Sequence, residues 1–170
     1  MKQRILRLLF TVAFTACIAL TGCGGQKVAA ISPFTELSWD ASVDDMVKAE
    51  GDQYETYDSI YQGTTYTYSK TYLEKDGMIK YMYDGDGKLC NVSWSYTGDT
   101  PDSVMTVYRD VCKDTEKIHG KSTSDDGVGN YGQVWNTAGG TVMANAVITN
   151  DVRVMQIAYM SEAVSKQQAK

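Results

Sequence analysis

Residues 64–73 alternate with a period of two: Tyr66, Tyr68 and Tyr72 fall on one side, and Thr65, Thr67, Ser69 and Thr71 on the other. That period marks a strand, and aromatic and β-branched residues suit a pleated surface. Such a strand needs neighbours of the same kind, and the chain supplies them. Residues 78–83 and 88–97 flank Asp84-Gly85-Asp86-Gly87 and read as a hairpin, with a turn at 75–77 before it. Pairing Tyr83 with Lys88 sets Tyr81 against Cys90 and Ile79 against Val92, and Trp94 and Tyr96 continue that face. Lys80, Met82, Asn91, Ser93 and Ser95 form the other. One face is expected to be core and the other solvated. Residues 131–137 make a further strand, and 141–149 with 152–161 a hairpin around Asn150-Asp151. Pairing Thr149 with Val152 puts Val142, Ala144, Ala146 and Ile148 with Met155, Ile157 and Tyr159, and places Asn145 opposite Gln156. Residues 52–62 read as a polar, Tyr-rich connection.

Two helices are expected. Ser42 is an N-cap with Asp45 at N3, Val43, Met46 and Val47 share one face, and Gly51 stops the helix near residue 50. Thr100 caps a second helix with Pro101 at N1. Val104, Val107, Tyr108, Val111, Thr115 and Ile118 form its buried stripe, and Gly120 ends it. The order helix, strand, hairpin therefore occurs twice. Val92, Trp94 and Tyr96 of the first set match Met155, Ile157 and Tyr159 of the second. The fold class predicted is α+β: an antiparallel sheet of about six strands with two helices on one face, built from two helix-β-β-β repeats. A single domain is expected over 36–162, its repeats at 36–98 and 99–162, with a polar tail over 163–170.

The opening residues read differently. Lys2, Arg4 and Arg7 precede an apolar run over 8–20, followed by small residues. This is the pattern of a secretory signal, and the run is short for a membrane span. Leu20-Thr21-Gly22-Cys23 resembles the bacterial lipoprotein box. The resemblance implies cleavage between Gly22 and Cys23, diacylglycerol on the Cys23 thiol, and further acylation, as with palmitate, at the new amine. More than one acyl chain makes a stable anchor. A signal peptide over 1–22, an anchor and flexible tether over 23–35, and an extracytoplasmic position at the cell membrane follow from it.

Beyond residue 22, thirteen Lys and Arg stand against twenty-one Asp and Glu, a formal charge of −8. That argues against nucleic acid as a partner and against electrostatic adhesion to anionic lipid. Two cysteines remain after Cys17 and Cys23. Cys90 and Cys112 either form a bridge, which the compartment permits, or stay as buried thiols.

No catalytic constellation stands out. His119 ends the second helix, where a cation is favoured; as a general base it lacks a triad partner. One His and two Cys make a poor zinc set. Asp84-Gly-Asp-Gly resembles the start of a calcium loop, but Ser95 stands where the twelfth-position Glu belongs, so a hairpin turn is expected. Asp125-Asp126 reads as a solvated loop. Two candidate binding surfaces remain: the aromatics Tyr54, Tyr57 and Tyr61, and the polar sheet face with Thr65, Thr67, Ser69, Thr71, Asn91, Ser93, Asn145 and Gln156.

Leu37-Ser-Trp-Asp-Ala-Ser-Val-Asp-Asp-Met-Val-Lys-Ala-Glu-Gly51 resembles the opening of small secreted bacterial domains, and residues 108–121 resemble their second helix. Such domains resemble the β-lactamase-inhibitor-protein fold and the BamE/SmpA lipoproteins. The resemblance covers 36–161. Asp40, Ile118-His119 and Ser122 depart from its pattern, and no functional residue carries over. It implies protein binding in the cell envelope. The function expected is a non-enzymatic binding or envelope-assembly module with no cofactor beyond the lipid on Cys23, its partners the membrane and an envelope or extracellular protein. A small-ligand or glycan sensor using exposed tyrosines is one alternative. An Asp-based extracytoplasmic hydrolase is another, and it requires two converging carboxylates.

Overall fold

The computed structural model describes residues 30–123 and 131–168. The signal segment, Gly22, Cys23 and Asp125-Asp126 lie outside the described residues. Among the described residues the architecture is α+β, with a seven-stranded antiparallel sheet and three helices. In chain order these are α1 (Val43–Glu50), β1 (Glu55–Asp58), β2 (Gln62–Tyr72), β3 (Lys75–Asp84), β4 (Leu89–Thr97), α2 (Pro101–His119), β5 (Tyr131–Thr137), β6 (Gly140–Ile148), β7 (Arg153–Ser161) and α3 (Glu162–Gln168). The strand order is β1-β2-β3-β4-β7-β6-β5. No helix among the described residues is long and apolar enough to cross a membrane.

Local chemistry sets the helix ends. Ser42 and Asp45 form a reciprocal capping box, and Thr100 with Ser103 forms a second, ahead of Pro101. Gly51 and Gly120 close the two helices at positive φ, 98° and 78°. α1 and α2 cover one face of the sheet. Met46, Val104, Val107 and Val111 pack there on Ile79, Tyr81, Val92, Trp94, Ala144 and Ile157. Ile118, expected in the buried stripe, is exposed, and Cys112 is buried instead. The α2 stripe leaves the sheet before its last turn.

Five expectations are corrected. The sheet gains β1 from the segment read as a connection; all four of its residues are exposed, so backbone pairing with β2 rather than a buried stripe makes it a strand. The β2–β3 turn is Leu73-Glu74, both at positive φ, and not 75–77. Tyr72 then pairs with Lys75 and Gly77 with Lys70. In the β3–β4 hairpin Tyr83 pairs with Leu89, Tyr81 with Val92 and Ile79 with Trp94. Cys90 is the extra residue of a β-bulge, which sends Leu89 into the core and Cys90 to the opposite face.

The stretch read as a flexible tether already packs by residue 31. Ile31 donates its N–H to the Leu37 carbonyl at 2.9 Å. Phe34 meets Tyr72 and Tyr159 edge-on, at 5.3 and 5.6 Å between ring centroids. One buried ring thus ties β2 to β7. Finally, the polar tail is helical over Glu162–Gln168, and Val164 packs on the sheet face that α1 and α2 leave uncovered. A single apolar side chain is enough to seat a helix that has no amphipathic stripe.

Candidate functional site

The face opposite α1 and α2 follows from the registers. One row across it reads Tyr57, Thr65, Met82, Asn91, Met160 and Thr141. The next holds Thr67, Lys80, Ser93, Ala158 and Met143, and a third Ser69, Met78, Ser95, Gln156 and Asn145. Eight of the predicted site residues, Tyr57, Thr65, Thr67, Ser69, Asn91, Ser93, Asn145 and Gln156, therefore share this face. The Asn145–Gln156 pairing is as expected.

Its middle is not solvated, however. Thr65 and Ser93 are each 1 % exposed, and Thr67 and Asn91 are buried too. These short side chains stand beside the longer Met82 and Lys80 of β3, and α3 packs at one end of the face. The Thr65, Thr67 and Ser93 hydroxyls and Asn91 Oδ1 have no hydrogen-bond partner among the described residues. Unpaired buried polar atoms are costly and call for an explanation. Toward the far end Ser69, Thr71 and Met78 are exposed.

The three tyrosines separate. Tyr57 is half-exposed on this face, and Lys80 Nζ stands 5.6 Å from its ring centroid. Tyr61 lies in the β1–β2 turn, where its hydroxyl accepts from Asn91 Nδ2 at 3.2 Å and burial pushes its pKa up. Tyr54 lies on the other side, against Tyr66 and Tyr68 at the rim of the core. No joint aromatic surface forms.

Both remaining cysteines are free and buried. Cys112 belongs to the helix-side core, and Cys90 packs with Met160 and Val164 across the sheet from it. The bridge left open by the sequence is absent, because the bulge carries Cys90 to the far face. Burial pushes the Cys90 thiol up to about 12 and the Cys112 thiol to about 11.

A cleft of about 490 Å³ opens where the β1–β2 turn, the β3–β4 turn and α3 meet, with Trp39, Tyr61, Asp86, Lys88 and Cys90 among its walls. Asp84 also borders it, but its Oδ1 accepts the Asp86 and Lys88 N–H groups at 3.0 and 2.9 Å. That carboxylate holds the turn. No group of three His, Cys, Asp or Glu side chains suited to a metal occurs among the described residues.

His119 differs from expectation. Its Nε2 is buried without a partner among the described residues, its ring is 5.9 Å from that of Tyr159, and desolvation lowers its pKa. The neutral imidazole is favoured over the cation that the helix end alone would select.

Sequence reasoning missed one polar cluster. Glu50 takes Lys70 Nζ at 2.9 Å on each carboxylate oxygen and the Tyr81 hydroxyl at 2.7 Å. The Tyr81 hydroxyl also meets Thr35 Oγ1 at 2.8 Å. The group clamps α1 and the N-terminal segment to the sheet. A second partly buried carboxylate, Asp114, accepts from the Tyr72 hydroxyl and Lys117. Partial burial raises its pKa, but these two donors outweigh that and hold it below the usual carboxylate range. Glu50 reads in sequence only as the last helical residue, and its partners lie 20 and 31 residues away. A scan of family models finds no match, and neither a curated protein nor a solved structure matches the chain.

Proposed function

We propose that this chain is a lipid-anchored extracytoplasmic module that binds a protein partner on the sheet face opposite α1 and α2, without chemistry of its own. One observation carries the reading: that face sets half-exposed Tyr57, Met78 and Met82 beside the exposed hydroxyls of Ser69 and Thr71. Aromatic and Met residues are enriched at interfaces, and exposed hydroxyls add hydrogen-bonding groups to their rim. The signal pattern and Leu20-Thr-Gly-Cys23 support the anchor, and the charge of −8 supports a covalent rather than an electrostatic attachment. Two helix-plus-meander halves joined through β4 and β7 fit a duplicated β-lactamase-inhibitor-protein or BamE/SmpA-like domain.

Photo-crosslinking in intact cells tests the face. A crosslinker at Gln156 or Ser95 captures a discrete protein, and one at Asp110 on α2 does not. Equal capture from both sides, or none from Gln156, sinks the reading. The anchor is tested apart from it: intact mass of the membrane form shows acyl groups on Cys23, and an unacylated Cys23 refutes lipidation.

The cleft beside Trp39 and Tyr61 favours a second reading, a small-ligand sensor. Its volume lies in the ligand-pocket range, and aromatic walls with Asp86 and Lys88 at the rim suit a polar ring such as a sugar. Chemical-shift changes confined to Trp39 and Tyr61 on adding envelope glycans would support it; none at millimolar glycan would remove it.

A further inference from the structure

The sheet has two edges, and the chain treats them differently. At β5, Thr123 donates its N–H and its hydroxyl to the Val134 carbonyl, at 2.7 and 3.0 Å, and so covers the middle of that edge. At β1 the edge is open. Ser59 donates its N–H to the Gly63 carbonyl at 2.9 Å, in the register that pairs Tyr57 with Thr65 and Glu55 with Thr67. Bonded and unbonded pairs alternate along an antiparallel ladder. Glu55 and Tyr57 therefore turn their peptide groups to β2, and Thr56 and Asp58 turn theirs outward. Among the described residues, no hydrogen bond from a loop or a side chain reaches those outward groups.

Side chains of two kinds border the open edge. Tyr57 is 47 % exposed on the outer face, Tyr54 is 40 % exposed against Tyr66 on the helix side, and Ile60 is 81 % exposed just past β1. The two tyrosines share no face, but a strand laid along β1 projects side chains to both faces and so meets both. Asp52, Glu55 and Asp58 are exposed along the same stretch, and Lys80 of β3 lies over the Tyr57 ring. Short length and charge guard an edge against self-pairing. A second copy would bring another Asp52, Glu55 and Asp58 to one seam, which like charges oppose. A cationic strand meets no such barrier.

We propose that the open edge of β1 takes an extended, Lys- or Arg-bearing segment of a partner protein as a further strand of the sheet. The peptide groups of Thr56 and Asp58 supply the backbone bonds, and Tyr54 and Tyr57 supply contacts on the two faces. Glu55 and Asp58 set the preference for positive charge. This surface is distinct from the outer sheet face, because Ser95 and Gln156 lie on β4 and β7, away from β1. Either can fail alone.

Amide hydrogen exchange on the purified full chain tests the edge itself. The Tyr57 amide is expected to be protected and those of Thr56 and Asp58 to exchange fast; protection of the latter two in the free chain overturns the proposal. The probe for binding is a display library of random peptides of about eight residues, the length of a strand. The peptide most enriched on the chain, made synthetically, is expected to be β-branched and cationic, and to protect the Thr56 and Asp58 amides. Thr56→Pro removes an outward N–H at an edge position, where proline leaves the β2 pairing intact, and is expected to weaken binding at least about tenfold. Glu55→Gln/Asp58→Asn keeps every peptide group should the proline variant not fold; it is expected to weaken binding about tenfold and to remove most of its salt dependence. No enriched peptide, protection at Ser95 and Gln156 instead of Thr56 and Asp58, or binding that survives both variants overturns the proposal.

Discussion

The indole of Trp94 lies across Gly77 and donates its Nε1–H to the Lys70 carbonyl at 2.8 Å. Gly77 belongs to β3 and Lys70 pairs with it from β2, so the ring spans one strand to reach the next. A Cβ at position 77 would stand 2.6 Å from two ring carbons and would also meet the Ser95 carbonyl oxygen. Trp94 is fully buried, so the ring has nowhere to move. Gly77→Ala is expected to cost about 1–3 kcal/mol through overpacking. Urea denaturation followed by tryptophan fluorescence measures it, and an unchanged midpoint would contradict the contact.

The Glu50 clamp makes a second prediction. Its carboxylate is 8 % exposed and Lys70 is 31 % exposed, so solvent screens part of the pair. Glu50→Gln keeps the shape and an acceptor for Tyr81 but removes the charge. A loss of about 1–2 kcal/mol is expected, and more for Glu50→Ala, which strips Tyr81 and Lys70 of a partner. Equal stabilities of the two variants would show that the carboxylate is solvated rather than clamped.

Thiol chemistry gives a third. Burial disfavours both thiolates, with Cys90 near 12 and Cys112 near 11. Neither reacts with iodoacetamide at pH 8 in the folded protein, and both do so in urea. Peptide mapping assigns the labelled positions. Fast native labelling at either cysteine would place it at the surface.

His119 sets a dependence on pH. Its pKa is lowered in the folded state, so between that value and the ordinary 6.5 the unfolded chain binds the proton first. The stability linked to neutral His119 is fully present above about 6.5 and is lost as pH falls through the folded value. Denaturation midpoints should drop between pH 7 and pH 5.5 in the native chain and less in His119→Gln. A titration of the imidazole by NMR at or above 6.5 would reverse the sign.

Short-range features are legible in the residues. The Ser42–Asp45 box, the Thr100–Pro101 start and both glycine stops depend on groups within four positions, and each forms. The β6–β7 register follows from a two-residue turn and puts Asn145 on Gln156. The β3–β4 hairpin does not, because its turn is one residue longer than expected, pairing Tyr83 with Leu89, and the bulge at Cys90 shifts every later pairing by one more. Gly77 resembles a turn residue in sequence, yet the turn is made by Leu73-Glu74, and Gly77 exists to admit Trp94. β1 carries no apolar pattern, so nothing local marks it as a strand. Of the candidate surface, membership of one face was readable from period two. The burial of Thr65, Thr67 and Ser93 was not, since it depends on the height of side chains on neighbouring strands.

Alternation and capping chemistry determine the α+β class, the strands with a buried stripe and the ends of α1 and α2, because period and cap are properties of neighbouring residues. Tertiary packing decides the rest. It places Cys90 across the sheet from Cys112, holds His119 neutral against the field of its own helix, joins Glu50 to Lys70 and Tyr81, and folds α3 over the outer face through Val164. Each of these rests on desolvation or on contact between residues distant in the chain. A local pattern carries no record of either.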